Sequence, residues 1–465
     1  MRLLGYSWFL ASRPWRNLLI ITLLAVQGVY ASIDLDLGDR ASIKNAAKIA
    51  AAGIMEYYTG DQPGDVPGNL PEPYYWWEAG AMFGSLVDYY YYTEDAQYVD
   101  VTTQALLWQV GPDTNYMPTN QTKSLGNDDQ GFWGMAAMSA AEVNFPNPPE
   151  DQPQWLALAQ AVFNSQAHRW DMTSCGGGLK WQIFSFNSGY NYKNTISNGI
   201  FFNLASRLAR YTGNETYAKW AETAWDWVFA IGLASPNYEF FDGTDDTINC
   251  SRINHLQWSY NSGVFMHGAA NMYNFTKGSE IWKTRLEGIL KGAEVFFSNE
   301  VPNVMTEITC EPKGLCNVDQ RSFKAYLSRW MAGTVRLAPF TSDVIMPKLR
   351  ASAQAAALQC NGPGNACGLR WIDGAQYDGS TGVGEQMSAM EIFQANLIDT
   401  VHGPVTNNTG GTSKGDDNAG TGSDSEEDSF GQEERVITVA DRAGAGVATV
   451  IVVLVTISSA WWMMT

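Results

Sequence analysis

Positive charge is scarce in this sequence. Its 465 residues carry 29 Lys and Arg against 48 Asp and Glu, a formal net charge of -19. Such a chain lacks the concentrated basic surface that nucleic-acid phosphates require. Histidine is scarcer still: His168, His255, His267 and His402 are the only four. They form no zinc spacing and join no recognisable hydrolase triad. Gly176-Gly177-Gly178 opens no strand-to-helix phosphate loop, so a nucleotide site fails on context. No metal or cofactor is therefore expected. No Pro/Gly/Ser linker interrupts residues 34–402, which read as one domain, and no convincing strand series competes with the helical periodicity there.

The two ends carry addresses. Arg2, Arg13 and Arg16, the apolar run from Leu18 to Val26, and small residues around Val29 and Ala31 form a signal peptide over residues 1–31, expected to be cut after Ala31. A permanent signal anchor is the alternative, disfavoured by the short apolar core. Residues 403–440 are rich in Gly, Ser, Thr and acids, including Asp416-Asp417, and read as a solvated stalk. Residues 441–465 follow with small residues Ala443 to Gly446 and an apolar tail from Val447 to Met464 that no Lys or Arg follows. That pattern suits a removed tail and a GPI anchor better than a spanning helix. The attachment residue lies somewhere from Asp441 to Ala445. Glycosylation acceptors at Asn120, Asn214, Asn249, Asn274 and Asn407 agree with a secretory route. The six cysteines suit three disulfides in an oxidising compartment. Joining the close neighbours, Cys310 with Cys316 and Cys360 with Cys367, leaves Cys175 with Cys250. The expected location is the outer face of the plasma membrane.

Helical periodicity predicts helices over about 41–58, 76–92, 97–109, 129–143, 154–168, 198–211, 215–232, 262–274, 279–297, 320–337, 343–358 and 383–399. Three junctions share a pattern: Tyr92-Thr93-Glu94 before Tyr98, Tyr211-Thr212-Gly213 before Tyr217, and Phe275-Thr276-Lys277 before Trp282. Repeated helix pairs must bury their apolar faces on neighbours. Six pairs closed into a ring give an all-α (α/α)6 toroid with a central cleft; an open solenoid is the alternative. Trp76, Trp77, Trp181 and Trp371 lie at helix starts or in Gly-rich loops, where an aromatic face can receive the C–H face of a sugar. Core packing explains most of the other tryptophans.

Three Asp-Asp pairs occur. Asp416-Asp417 sits in the acidic tail and Asp245-Asp246 in a polar loop, whereas Asp128-Asp129 lies at a loop-to-helix junction with aromatics behind it. An N-cap with a first-turn acid is the plain explanation of the last pair. The chemical one is glycoside cleavage through a covalent intermediate, which needs two carboxyls about 5 to 5.5 Å apart. Like charges so close raise one pKa and leave an acid beside a base.

Asn127-Asp128-Asp129-x-x-x-Trp133-Gly134, together with Tyr75-Trp76-Trp77-Glu78-Ala79-Gly80, Lys193-Asn194-Thr195-Ile196-Ser197-Asn198-Gly199, Trp258-Ser259-Tyr260-Asn261-Ser262-Gly263 and Gly382-Val383-Gly384-Glu385-Gln386, resembles glycoside hydrolase family 76. With both terminal signals, the chain resembles its fungal GPI-anchored cell-wall branch. The resemblance implies an (α/α)6 fold and retaining cleavage of α-1,6-mannosidic bonds, with Asp128 as nucleophile and Asp129 as general acid/base. It further implies that Asn194, Ser197, Asn198, Tyr260 and Asn261 line the sugar cleft, with Trp76, Trp77, Trp133 and Trp181 stacking or supporting. Expected partners are α-1,6-mannan or a GPI-core glycan, and the membrane through the lipid. Three activities fit: an endo-mannanase, a transglycosidase passing the glycan to wall β-glucan, and a mannan-binding protein without catalysis. Intact Asp128 and Asp129 count against the third.

Overall fold

The computed structural model describes residues 32–421. The signal peptide, the later stalk and the lipid-attachment signal lie outside the described residues. Twelve α-helices alternate between two layers. The inner layer is α2 (Trp76–Thr93), α4 (Asn127–Glu142), α6 (Thr195–Thr212), α8 (Ser259–Phe275), α10 (Phe323–Leu337) and α12 (Val383–Ala395). Each packs on the next, and α12 returns to α2, which closes the ring. The outer layer is α1 (Arg40–Met55), α3 (Val99–Trp108), α5 (Trp155–His168), α7 (Glu215–Ala230), α9 (Glu280–Gly292) and α11 (Ser342–Gln359). Closure excludes the open solenoid.

The two layers differ because their environments differ. Outer helices are amphipathic: α9 buries Trp282, Leu286, Ile289 and Leu290 on one stripe. Inner helices are covered on nearly every side, so α4 buries fifteen of its sixteen residues, polar ones included. Close approach there depends on glycine. A Cβ on Gly80 would lie 2.7 Å from the Trp133 ring, and one on Gly131 would lie 2.4 Å from Ile200.

The aromatic-Thr punctuation marks the ends of α2, α6 and α8. Thr212 and Thr276 turn their hydroxyls back to the carbonyls of Leu208 and Met272 at 2.7 Å, and Thr93 does the same to Tyr89 at 2.5 Å. Glu94, Gly213 and Lys277 then take positive φ, which reverses the chain. Tyr98, Tyr217 and Trp282 sit buried at the opening of the next outer helix.

Two expectations need correction. A three-stranded antiparallel sheet, β1 (Tyr192–Asn194), β2 (Phe241–Asp245) and β3 (Ile253–Gln257), stands at the cleft end of the ring. Its strands, three to five residues long, are too short to show alternation. Residues 403–421, assigned above to the solvated stalk, instead form a strap against the ring. Val405 N–H donates to Glu142 O, Asn407 N–H to Tyr211 O, and the Ser413 hydroxyl accepts from Leu156 N–H. Gln160 holds Asp416 and Asp417, and Asn164 holds the carbonyls of Asp417 and Ala419. The strap thus climbs α5 from its first turn toward its middle. All three disulfides join as the cysteine spacing suggested.

Candidate active site

Because every inner helix is followed by an outer one running back, all six inner helices start at the same end of the ring. Their N-termini present unpaired N–H groups and positive dipole ends, an environment that favours acids. Glu78, Asp128, Asp129 and Glu385 occupy first turns there, and Asp319 lies just before α10. At the opposite end, cations meet helix C-termini: Arg207 and Arg210 bind Glu142 at 2.6 and 2.8 Å, and Arg329 binds Asp88 and Glu391 at 2.6 and 2.7 Å.

Asp128 and Asp129 open α4 at the floor of a cleft of about 200 Å³. Each Asp128 oxygen already accepts a hydrogen bond: Oδ1 from Asp129 N–H at 3.0 Å and Oδ2 from Asn194 Nδ2 at 2.9 Å. Both bonds favour a carboxylate. Asp129 uses Oδ2 to accept from Gly126 N–H at 2.6 Å, the helix-start bond of the plain explanation. Oδ1 is left as the oxygen that can carry a proton. Burial pushes both carboxyls above the usual range, and the Asp128 charge lifts Asp129 further. Asp129 thus keeps its proton to higher pH than Asp128. One residue pair serves both readings, as helix cap and as acid beside base.

The walls come from separated segments. Trp77, Trp181, Asn194 and Tyr260 face the cleft as expected. Trp76 faces a wider groove of about 780 Å³ that continues from it and is also lined by Trp77, Asp129, Trp181 and Asp319. Three expected cleft residues, Ser197, Asn198 and Asn261, lie beneath it instead, as does Trp133 in a supporting place. Trp133 is fully buried, stacked between Trp76 at 5.1 Å and Tyr116 at 5.6 Å. Asn198 clamps the backbone of Leu179, accepting at 2.8 Å and donating at 3.0 Å, and so sets the loop that carries Trp181. Ser197 and Asn261 are buried away from the cleft. Trp371 is core as well, with Lys324 Nζ 4.0 Å over its ring.

Sequence reasoning missed two cleft carboxylates. Asp242, on β2, accepts from Tyr192 OH at 2.6 Å, Trp258 Nε1 at 2.9 Å and Asn254 Nδ2 at 3.1 Å. Asp319 accepts from Trp77 Nε1 at 3.1 Å. The only sequence signal for either was Asp319's place just ahead of a predicted helix. The wall is braced by Lys193, fully buried, which donates to the carbonyls of Asp171, Ser174 and Gly177 and pairs with the Asp171 carboxylate at 2.9 Å. Among the described residues no group of three His, Cys, Asp or Glu is placed to hold a metal ion.

An adjacent acid and base at the N-terminal end of an inner helix, in a closed ring of six hairpins, define the class of site that cleaves glycosidic bonds. The chain belongs to glycosyl hydrolase family 76, whose profile matches residues 42–408. It is similar to the mannan endo-1,6-alpha-mannosidase DCW1 of Eremothecium gossypii, 48% identical over 93% of this chain and 95% of that protein. The DCW1 protein of Saccharomyces cerevisiae is 45% identical over 93% of this chain and 95% of its own length. Among solved structures, Dfg5 from Chaetomium thermophilum in complex with glucosamine is 47% identical, with a TM-score of 0.81 over 85% of this chain and 99% of that one. An α-1,6-mannanase of Salegentibacter, 19% identical with a TM-score of 0.59 over 77% of this chain and 99% of its own, shares the fold.

Proposed function

We propose that this protein is a retaining glycosidase acting on α-1,6-mannosidic linkages. The observation that carries the reading is the unequal pair. Asp128 has both oxygens held by donors, and Asp129 has one oxygen held and the other left to carry a proton. Asp128 attacks the anomeric carbon as Asp129 protonates the departing oxygen. Asp129, now ionised, then takes a proton from the incoming hydroxyl, which displaces Asp128 and restores the starting state. The close similarity to mannan endo-1,6-alpha-mannosidases supports the substrate class.

The incoming hydroxyl belongs to water in a hydrolase and to a wall β-glucan in a transglycosidase, and the same two carboxylates serve either. The GPI-core glycan is the alternative donor to α-1,6-mannan. The outer-surface location, the lipid anchor and the glycosylation are part of this proposal. Asn120, Asn249, Asn274 and Asn407 are exposed and Asn214 is half-buried, so a glycan could reach each of them. Three disulfides among six cysteines suit the oxidising route.

The test incubates the purified protein with an α-1,6-mannoside or GPI-core glycan, with and without β-glucan, followed by mass spectrometry. Shorter mannosides support hydrolysis and a joined product supports transfer. Binding without either product refutes catalysis. Asp128→Asn, expected to fold normally, should abolish turnover; full turnover in that variant refutes the assignment.

A further inference from the structure

Two of the four cleft carboxylates break no bond in the retaining scheme, and their surroundings treat them differently. Asp242 is held by three donors. Asp319 has one, the Trp77 indole N–H on Oδ1, which leaves Oδ2 to accept from a ligand. Among the described residues no cation stands within ion-pair distance of it. Its neighbour Arg321 pairs instead with Glu385 at 3.3 Å. The indole that fixes Asp319 is itself fixed, packed 4.7 Å from Phe132 and 6.1 Å from Tyr326.

Position gives this carboxylate its meaning. Trp77, Asp129, Trp181 and Asp319 line both the inner cleft and the outer groove, whereas Asp128 lines the inner cleft alone. In a retaining site the nucleophile lies under the ring being transferred, and the acid/base lies beside the oxygen that departs. The neck shared by the two cavities is therefore where the scissile oxygen sits, and the outer groove receives the leaving sugar.

We propose that Asp319 is a specificity-determining residue of this neck, accepting hydroxyl hydrogen bonds from the first sugar on the leaving-group and acceptor side and aligning its oxygen with Asp129. The inference rests on the retaining-glycosidase reading. Asp319 also acts through charge. The titratable groups its charge reaches are Glu78 from α2, Asp128 and Asp129 from α4, Tyr260 from α8 and Tyr326 from α10. Arg321, in its own turn of chain, is held by Glu385. The Asp319 carboxylate lifts the proton affinity of Asp129, after burial and the Asp128 charge, and so helps to keep the acid loaded.

Asp319→Asn tests this, because the amide oxygen still accepts from Trp77 while the charge is lost. Two substrates separate the roles: an α-1,6-mannotetraose, whose leaving group is a sugar, and an aryl α-1,6-mannobioside, whose leaving group has no hydroxyls and needs little protonation. The loss in kcat/KM should be about tenfold greater for the tetraose, the low end of what a hydrogen bond to a charged group contributes. The alkaline limb of the tetraose profile should move to lower pH, the direction expected when a like charge is removed. Asp319→Ala, which also frees Trp77, should lose more on the tetraose. Equal losses on both substrates, or an unmoved alkaline limb, overturn the proposal. Wild-type protein that cleaves neither substrate refutes the glycosidase reading itself, so the two failures are distinct.

Discussion

Asn194→Ser is the most informative single change. Asn194 does two things: its Nδ2 donates to Asp128 Oδ2 at 2.9 Å, and its Oδ1 caps α6 by accepting from Ser197 N–H at 3.3 Å. Serine is as good an N-cap as asparagine, so the helix start survives. Its hydroxyl is too short to reach Asp128. A hydrogen bond to a charged group contributes about 1.5 to 3 kcal/mol, and one pKa unit corresponds to about 1.4 kcal/mol. Losing the amide should therefore raise the Asp128 pKa by about 1 to 2 units. The nucleophile must be ionised, so the acid limb of kcat/KM moves to higher pH by that amount. Below the limb, the rate falls about 10- to 100-fold. Above it, the variant recovers most of the wild-type rate, and Tm stays within about 2 °C. The assay is a pH–rate profile on an α-1,6-mannoside beside a thermal melt. An unmoved acid limb in a folded variant would refute the assignment of Asp128 as the group held ionised by Asn194.

Trp181→Ala should raise KM about 2- to 13-fold with little change in Tm, since an aromatic stacking contact contributes about 0.5 to 1.5 kcal/mol. Trp133→Ala should do the reverse, lowering stability by about 3 to 5 kcal/mol because it opens a core cavity; comparing KM with melting temperature checks both. Lys193→Met removes the buried cation paired with the Asp171 carboxylate and one donor from each of three carbonyls, and should cost about 3 to 5 kcal/mol in denaturant unfolding. Although burial alone would raise Asp171, bonds from Thr173 and Lys193 hold it at about 2. The stability this depressed value contributes is present above about pH 4 and lost as pH falls toward 2, so wild type and variant should converge in acid. Cys175→Ser with Cys250→Ser frees a crosslink spanning 75 residues. It should cost about 4.5 kcal/mol on the loop-entropy estimate, measured the same way under non-reducing conditions.

How much was legible follows from where each signal resides. The twelve helices were legible because periodicity and the aromatic-Thr stops are local. The catalytic pair was legible because two chemically special residues are adjacent in sequence, at a helix start. Ser197, Asn198 and Asn261 were placed on the wrong surface for a related reason. They follow cleft residues Asn194 and Tyr260 so closely that a motif groups them, yet the first helical turn carries them below the floor. Asp242 and Asp319 were illegible because a cleft wall is assembled from segments far apart in the chain. The strap escaped notice for another reason. Gly, Thr and Asp compose a solvated tail, but here Gln160, Asn144 and Asn164 bind its backbone and short side chains. No apolar pattern announces such contacts.

That strap has a mechanical consequence. A pull applied beyond residue 421 does not load α12, where the ring closes, because the intervening chain is fastened to α5 first. The bonds at Asn164 part before those at Gln160, and those before the one at Leu156. Each is tried singly, as when a strip is peeled. Asp128 and Asp129 stand at the opposite end of α4 from the strap's anchoring at Glu142, so a load on the strap enters the ring about one helix length away from the catalytic pair.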